Sequence, residues 1–293
     1  MPRPRFVRSA LALAACSALT LTGCVPAAAP PTTSAPATAS ASSGMVGGAV
    51  PNVSATAELR AHPAAEAEPT EGTDAASLAG KVIVIDPGHN GVWTKQLRKL
   101  VPAGNGRKKA CNSSGTATNS GYAEHAYNWA QANALADELR SRGAEVLLTR
   151  QNDKSQGPCV NLRSKLANER DADVLISLHA DGSYARGARG FHVIISTTMA
   201  GGAEVESASK SLAKDLRQAL ETQTAMPRST YIGKGTALSP RTDIATLNLS
   251  KQVGVMMEMG NMRNAKDAAL LKSAKFRDQV ANALADGIAM HFG

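Results

Sequence analysis

The chain has 293 residues, 43% of them apolar, and a formal charge of +8, which is enough for one or two domains around a sizeable core. Aromatic residues make up only 3%, too few to make stacking on bases or sugars an expected basis of function. No nucleic-acid motif is present, so no nucleic-acid partner is expected.

The chain is expected to open with an export signal. Arg3, Arg5 and Arg8 precede the apolar run "ALALAACSALTLTG", which is too short to span a bilayer stably but suits a signal-peptide core. The run ends in "LTGC", Leu21 to Cys24, which resembles a bacterial lipobox. Residues 1–23 are therefore expected to be a lipoprotein-type signal peptide. Cys24 is expected to carry a lipid anchor holding the protein to the outer face of the cytoplasmic membrane, on the periplasmic or extracellular side. Cleavage there removes three arginines and no acid. The positive balance that remains points to an anionic wall polymer or a membrane surface.

Residues 24–77 are dominated by Ala, Pro, Ser and Thr, as in "PAAAPPTTSAPATASASSG", and hold too few large apolar side chains to bury a core. A disordered tether is expected. The helix-like stretch near its end is broken by Pro63 and Pro69.

From residue 78 to residue 293 the pattern changes to β-branched runs alternating with helical ones. "KVIVID" predicts a strand. It is followed by a long loop, 92–120, that carries Lys95, Arg98, Lys99, Arg107, Lys108 and Lys109; a loop of that length is usually functional or disordered. "YAEHAYNWAQANALADELRSRG" predicts a long helix stopped by Gly143, and "AEVLLTR" the next strand. "NLRSKLANERDA" reads as a helix, "DVLISLHA" and "GFHVIIS" as strands, and "AEVESASKSLAKDLRQALETQ" as an amphipathic helix. "QVGVMMEMG" predicts a buried strand, and a closing helix lies within "NAKDAALLKSAKFRDQVANALADGIAMHF". This order predicts a single α/β domain with a mostly parallel, open, twisted sheet flanked by helices on both faces. There is no internal repeat and no amphipathic dimerisation stripe, so a monomer is expected.

Of the four cysteines, Cys16 leaves with the signal and Cys24 is the anchor candidate. Cys111 and Cys159 remain, and in an oxidising compartment a disulfide is their default state.

Three polar residues stand at the carboxyl ends of apolar strands: His89 after "VIVID", His179 after "VLIS" and Glu258 after "VGVMM". In an open parallel sheet those ends line the crevice where ligands bind. Pro87 and Gly88 would supply the turn that aims His89 into it. A catalytic zinc usually takes three protein ligands and keeps one open position, so a third ligand is needed. Glu124 and His125 both follow the long loop, and adjacent helical residues point about 100° apart. Spacing alone leaves the choice between them open.

The segments "VIDPGHNG", "GYAEHAYNWAQANALADELRSRGAEVLLTR", "NLRSKLANERDADVLISLHADG" and "VMMEMGNMRN" resemble the successive motifs of zinc-dependent N-acetylmuramoyl-L-alanine amidases of the type-3 family, especially the compact actinobacterial members. The resemblance runs over most of residues 80 to 291. It implies Zn²⁺ held by His89, Glu124 and His179, with Glu258 as the catalytic glutamate. It implies structural roles for Arg163 and Asn168. Two departures stand out: Asp181 replaces the Asn that commonly follows the second histidine, and "MGNMRN" replaces a Gly-Phe-rich segment.

The implied reaction is hydrolysis of the amide between N-acetylmuramic acid and the L-alanine of the stem peptide, with peptidoglycan or muropeptides as substrate. A zinc carboxypeptidase or endopeptidase acting on stem peptides uses the same chemistry and stays open as an alternative, as does a non-catalytic, lipid-tethered wall-binding protein. Among the remaining polar residues, His192 sits on a strand that reads as alternating and is expected to face solvent or substrate. Asp86 is expected either to orient His89 or to cap the turn. Tyr231, Lys234 and Arg241 fall in a segment read as a loop.

Overall fold

The computed structural model describes residues 76–293. The expected signal peptide, Cys24 and nearly all of the tether lie outside the described residues.

The strands are β1 (Val82–Pro87), β2 (Leu100–Pro102), β3 (Lys108–Ala110), β4 (Glu145–Leu148), β5 (Val174–Asp181), β6 (His192–Ser196), β7 (Leu238–Arg241) and β8 (Gly254–Asn261). The helices are α1 (Glu124–Ser141), α2 (Val160–Glu169), α3 (Gly202–Gln223), α4 (Ala245–Asn248), α5 (Ala265–Lys272) and α6 (Ala274–Phe292). Six strands form one sheet in the order β4-β1-β5-β8-β6-β7. All neighbours run parallel except β6 and β8, which are antiparallel.

Central strands of such a sheet are covered on both faces, which is why β1 and β5 read as continuous apolar runs rather than as alternating ones. One face carries Ile83, Ile85, Ile176, Leu178, Val255 and Met257, packed with α1, α3 and α6 in the main core. On the other face, Val84 and Leu175 pack with Ala167 of α2, and Ile194 and Met256 pack with Leu247 of α4. Truncating one of these fully buried aliphatics to alanine typically costs 2–5 kcal/mol. The expected mostly parallel sheet with helices on both faces is therefore the architecture observed.

Three local expectations change. The basic stretch 92–120 is ordered: a 3₁₀ turn, Lys95–Arg98, leads into the antiparallel hairpin β2–β3. A disulfide between Cys111 and Cys159 ties the end of this hairpin to the start of α2. Arg241 lies in β7 rather than in a loop. This strand contains Pro240 and sits at the sheet edge, where a missing N–H costs no ladder bond. The closing helix is two helices, because Ser273 takes extended angles and its Oγ accepts from the Phe276 N–H at 3.3 Å, capping α6.

Candidate metal centre and catalytic cleft

The carboxyl ends of β1, β5 and β8 open into a cavity of about 440 Å³. His89 lies two residues beyond β1 and takes the left-handed conformation, with φ 62°. Such a conformation costs a non-glycine residue about 1–3 kcal/mol unless its surroundings enforce it. Here they do. Arg163, buried at the start of α2, donates to the His89 carbonyl at 2.7 Å, to the Pro87 carbonyl at 2.8 Å and to the Asp86 carboxylate at 2.7 Å. Gly88 meets a different need: a Cβ there would lie 2.2 Å from His179 Nε2, so only glycine lets the turn pass the second imidazole.

Asp86 does not touch His89. It anchors Arg163 and accepts from Thr149 at 2.5 Å and Ser177 at 2.7 Å. Burial alone would raise its pKa, but these partners, Arg163 foremost, bring it below the ordinary carboxylate value. Asn168 is structural in the same sense, bridging the Leu249 carbonyl and the Lys251 N–H.

Glu124 is the first residue of α1, where the helix dipole favours a negative charge. Its Oε2 accepts from the Thr116 N–H at 2.9 Å and its Oε1 from the Ala180 N–H at 3.2 Å. His89 Nε2 lies 3.0 Å from the same Oε1, and His179 Nδ1 lies 2.9 Å from it. The three residues thus offer ligand atoms within 4.8 Å of one another. The neighbour that competed for this place, His125, points elsewhere and pairs with Asp153 at 2.9 Å.

The donor set fits a divalent cation. His89 Nδ1 is 2.9 Å from the Ser113 carbonyl and must donate to it, so a neutral His89 presents the Nε2 lone pair to the carboxylate. A cation between them relieves that repulsion, and two imidazoles with one carboxylate match a catalytic zinc set. Within the cluster the burial of Glu124 is outweighed by its two imidazole neighbours, which hold its pKa well below the usual range. Burial lowers His179, whereas the Glu124 charge overcomes burial and raises His89.

Glu258 sits beside this cluster, since its backbone pairs with His179 across the β5–β8 ladder. Its Oε2 is buried with no hydrogen-bond partner. Burial, followed by the nearby charges of Glu124 and Asp181, lifts its pKa well above the usual carboxylate range, with Arg241 opposing. Asp181 accepts from the Tyr231 hydroxyl at 2.8 Å.

His192 differs from the expectation. It is only 3% exposed, on a strand buried along its whole length, and faces Tyr231 edge-on at 6.3 Å between ring centroids. Burial pulls its pKa down to about 4. Sequence reasoning also missed the backbone groups of Ser113 and Thr116, because a carbonyl and an N–H leave no signature in residue type.

A family model described as N-acetylmuramoyl-L-alanine amidase matches residues 83–290. The chain is 41% identical over 214 residues to the N-acetylmuramoyl-L-alanine amidase Rv3717 of Mycobacterium tuberculosis, a match covering 73% of this chain and 87% of that protein. It superposes on the N-acetylmuramyl-L-alanine amidase Ami1 of Mycobacterium smegmatis with a TM-score of 0.70 at 39% identity, covering 74% of this chain and 99% of the other. Ami1 of Mycobacterium abscessus gives 0.70 at 37% identity, covering 74% and 100%.

Proposed function

The chain belongs to the N-acetylmuramoyl-L-alanine amidase family, and from that premise we propose how its residues divide the work of hydrolysing peptidoglycan. The enzyme is a metal-dependent peptidoglycan hydrolase, cutting the amide between N-acetylmuramic acid and the L-alanine of the stem peptide. Our reading is that His89, Glu124 and His179 hold Zn²⁺ and that Glu258 is the general base. The observation that carries it is the convergence of two imidazoles on one carboxylate oxygen, beside a second carboxylate with a free buried oxygen.

Zinc held there supplies a Lewis acid and lowers the pKa of water towards neutrality. The remaining chemistry belongs to the protein. Glu258 accepts the proton of the attacking water and returns it to the alanine nitrogen as the C–N bond breaks. Burial and the neighbouring carboxylates favour its protonated form, which helps it hold the proton until the amine leaves. Glu124 stays ionised throughout, held by the Thr116 and Ala180 N–H groups. Arg163 keeps His89 in its left-handed conformation, and the Ser113 carbonyl fixes the ring's tautomer.

The disulfide and the wall-amidase family agree with secretion to the cell envelope. We extend this to a division of the chain into a signal peptide (1–23), a tether (24–77) and a catalytic domain (78–293) acting as a monomer, with Cys24 lipidated. The support for the anchor is the "LTGC" sequence; metabolic labelling with an alkyne fatty acid should mark the wild type and not Cys24→Ser. For the reaction, digestion of purified peptidoglycan should release whole stem peptides and leave muramic acid intact. Shortened stems would favour a peptidase instead.

A further inference from the structure

A second cavity, of about 230 Å³, opens at the same ends of β5 and β8 and is walled by Asn119, Ser183, Tyr184, Asn261, Arg263 and Asn264. It adjoins the metal cleft along the chain: Thr116, Asp181 and Gly182 line the first cavity, and Asn119, Ser183 and Tyr184 line the second. The two loops meet where a Cβ on Gly182 would lie 2.3 Å from Thr116 Oγ1.

Tyr184 is 81% exposed, in a chain with few aromatic residues. The Arg263 guanidinium covers one face of its ring at 4.9 Å from the centroid. Arg263 is itself held, its main-chain carbonyl accepting from Asn119 Nδ2 at 3.3 Å and its Nη1 donating to Asn119 Oδ1 at 3.4 Å. A pre-set ring with an open face, next to amides and a hydroxyl, can stack on the C–H face of a pyranose and bond its hydroxyls and N-acetyl group. The cavity wall contains no carboxylate, and its one cation, Arg263, lies against Tyr184 with its buried Nε lacking a hydrogen-bond partner.

We propose that this cavity is a saccharide subsite for the N-acetylhexosamine ring next to the muramic acid under attack, a proposal that rests on the amidase reading. The scissile amide joins sugar to peptide, so one arm of the cleft must receive glycan and another the stem peptide. The Tyr184 cavity, an aromatic face beside hydrogen-bonding groups and the Arg263 guanidinium, suits the hydroxyl- and N-acetyl-bearing glycan. Lys109, which lines the metal cleft on its hairpin side, suits the carboxylates of the peptide.

The test uses the full chain and its Tyr184→Ala variant. An N-acetylglucosamine trisaccharide, which an amidase does not cleave, is titrated while amide resonances of residues 182–184 and 261–264 are followed by NMR. Saturable shifts there in the wild type, lost in Tyr184→Ala, are expected. No binding at millimolar sugar, or shifts driven only by free stem peptide, would overturn the proposal. Kinetically, Tyr184→Ala should raise KM about tenfold, a typical loss for one stacking contact, on a tetrasaccharide muropeptide. Its kcat should hold, as should both constants on a single muramyl peptide. Equal losses on both substrates, or none on either, would overturn it. If the wild type cleaves neither substrate, the amidase reading fails, and the sugar titration alone decides the subsite.

Discussion

Removing the disulfide with Cys111→Ala and Cys159→Ala together should weaken the fold and the metal site in one step. The two cysteines are 48 residues apart in sequence. In the chain-entropy account, closing a loop of that length removes unfolded-state entropy worth about 4 kcal/mol at 25 °C. For a domain of this size each kcal/mol moves Tm by about 2–4 °C, so Tm should fall by about 8–16 °C. The fold should survive, because the Val160 N–H still donates to the Cys111 carbonyl at 2.7 Å and the Cys111 N–H to Lys99. Cys111 also precedes Asn112 and Ser113, whose carbonyl fixes the His89 ring, so metal affinity should drop as well. Differential scanning calorimetry of the metal-free double variant, followed by zinc titration with a competing chelator, measures both effects. A Tm loss below about 3 °C with unchanged zinc affinity would refute the argument that this bond restrains the loop behind His89.

Glu258→Gln should retain the metal, measured by elemental analysis, while turnover falls about 10²–10⁴-fold, the usual contribution of a positioned acid–base group. Arg163→Met should cost about 3–5 kcal/mol in urea unfolding, because it strands the buried Asp86 charge, and Asp86→Asn in the same chain should recover part of that. The depressed pKa of His192 makes a pH prediction. The unfolded chain takes up a proton near pH 6.5 and the folded chain only near 4, so stability falls as pH drops through this window and levels off below it. Histidine NMR should show His192 neutral at pH 5.5, and His192→Phe should flatten the slope of stability between pH 6.5 and 4; a folded-state titration near 6.5 would contradict the buried placement.

The sheet was legible because β-branched runs such as "VIVID" and "VLIS" can be satisfied only by strands covered on both faces, and helical patterns alternate with them. The place of His89, His179 and Glu258 was legible for the same reason: polar residues ending such runs emerge at the carboxyl rim. The choice of Glu124 over His125 came from the family resemblance and not from spacing, since both lie in the first turn of α1 and the pairing of His125 with Asp153 separates them only in the folded chain. The hairpin β2–β3 escaped because its strands, "LVP" and "KKA", have three residues each and carry Pro102 and two lysines. His192 read as surface because a single histidine says nothing about which face of a strand is covered. The left-handed turn fell on His89 rather than Gly88 because hydrogen bonds from Arg163, distant in sequence, offset its cost.

The proposed chemistry requires one divalent ion held jointly by His89, Glu124 and His179. The most direct measurement is zinc stoichiometry and affinity of the wild type and of His89→Ala, Glu124→Gln and His179→Ala, with circular dichroism confirming that each is folded. One zinc per wild-type chain is expected, removed by chelator together with amidase activity and restored by zinc, with tight binding lost in every variant. A folded variant lacking any one of these side chains that still binds one zinc with wild-type affinity would contradict it.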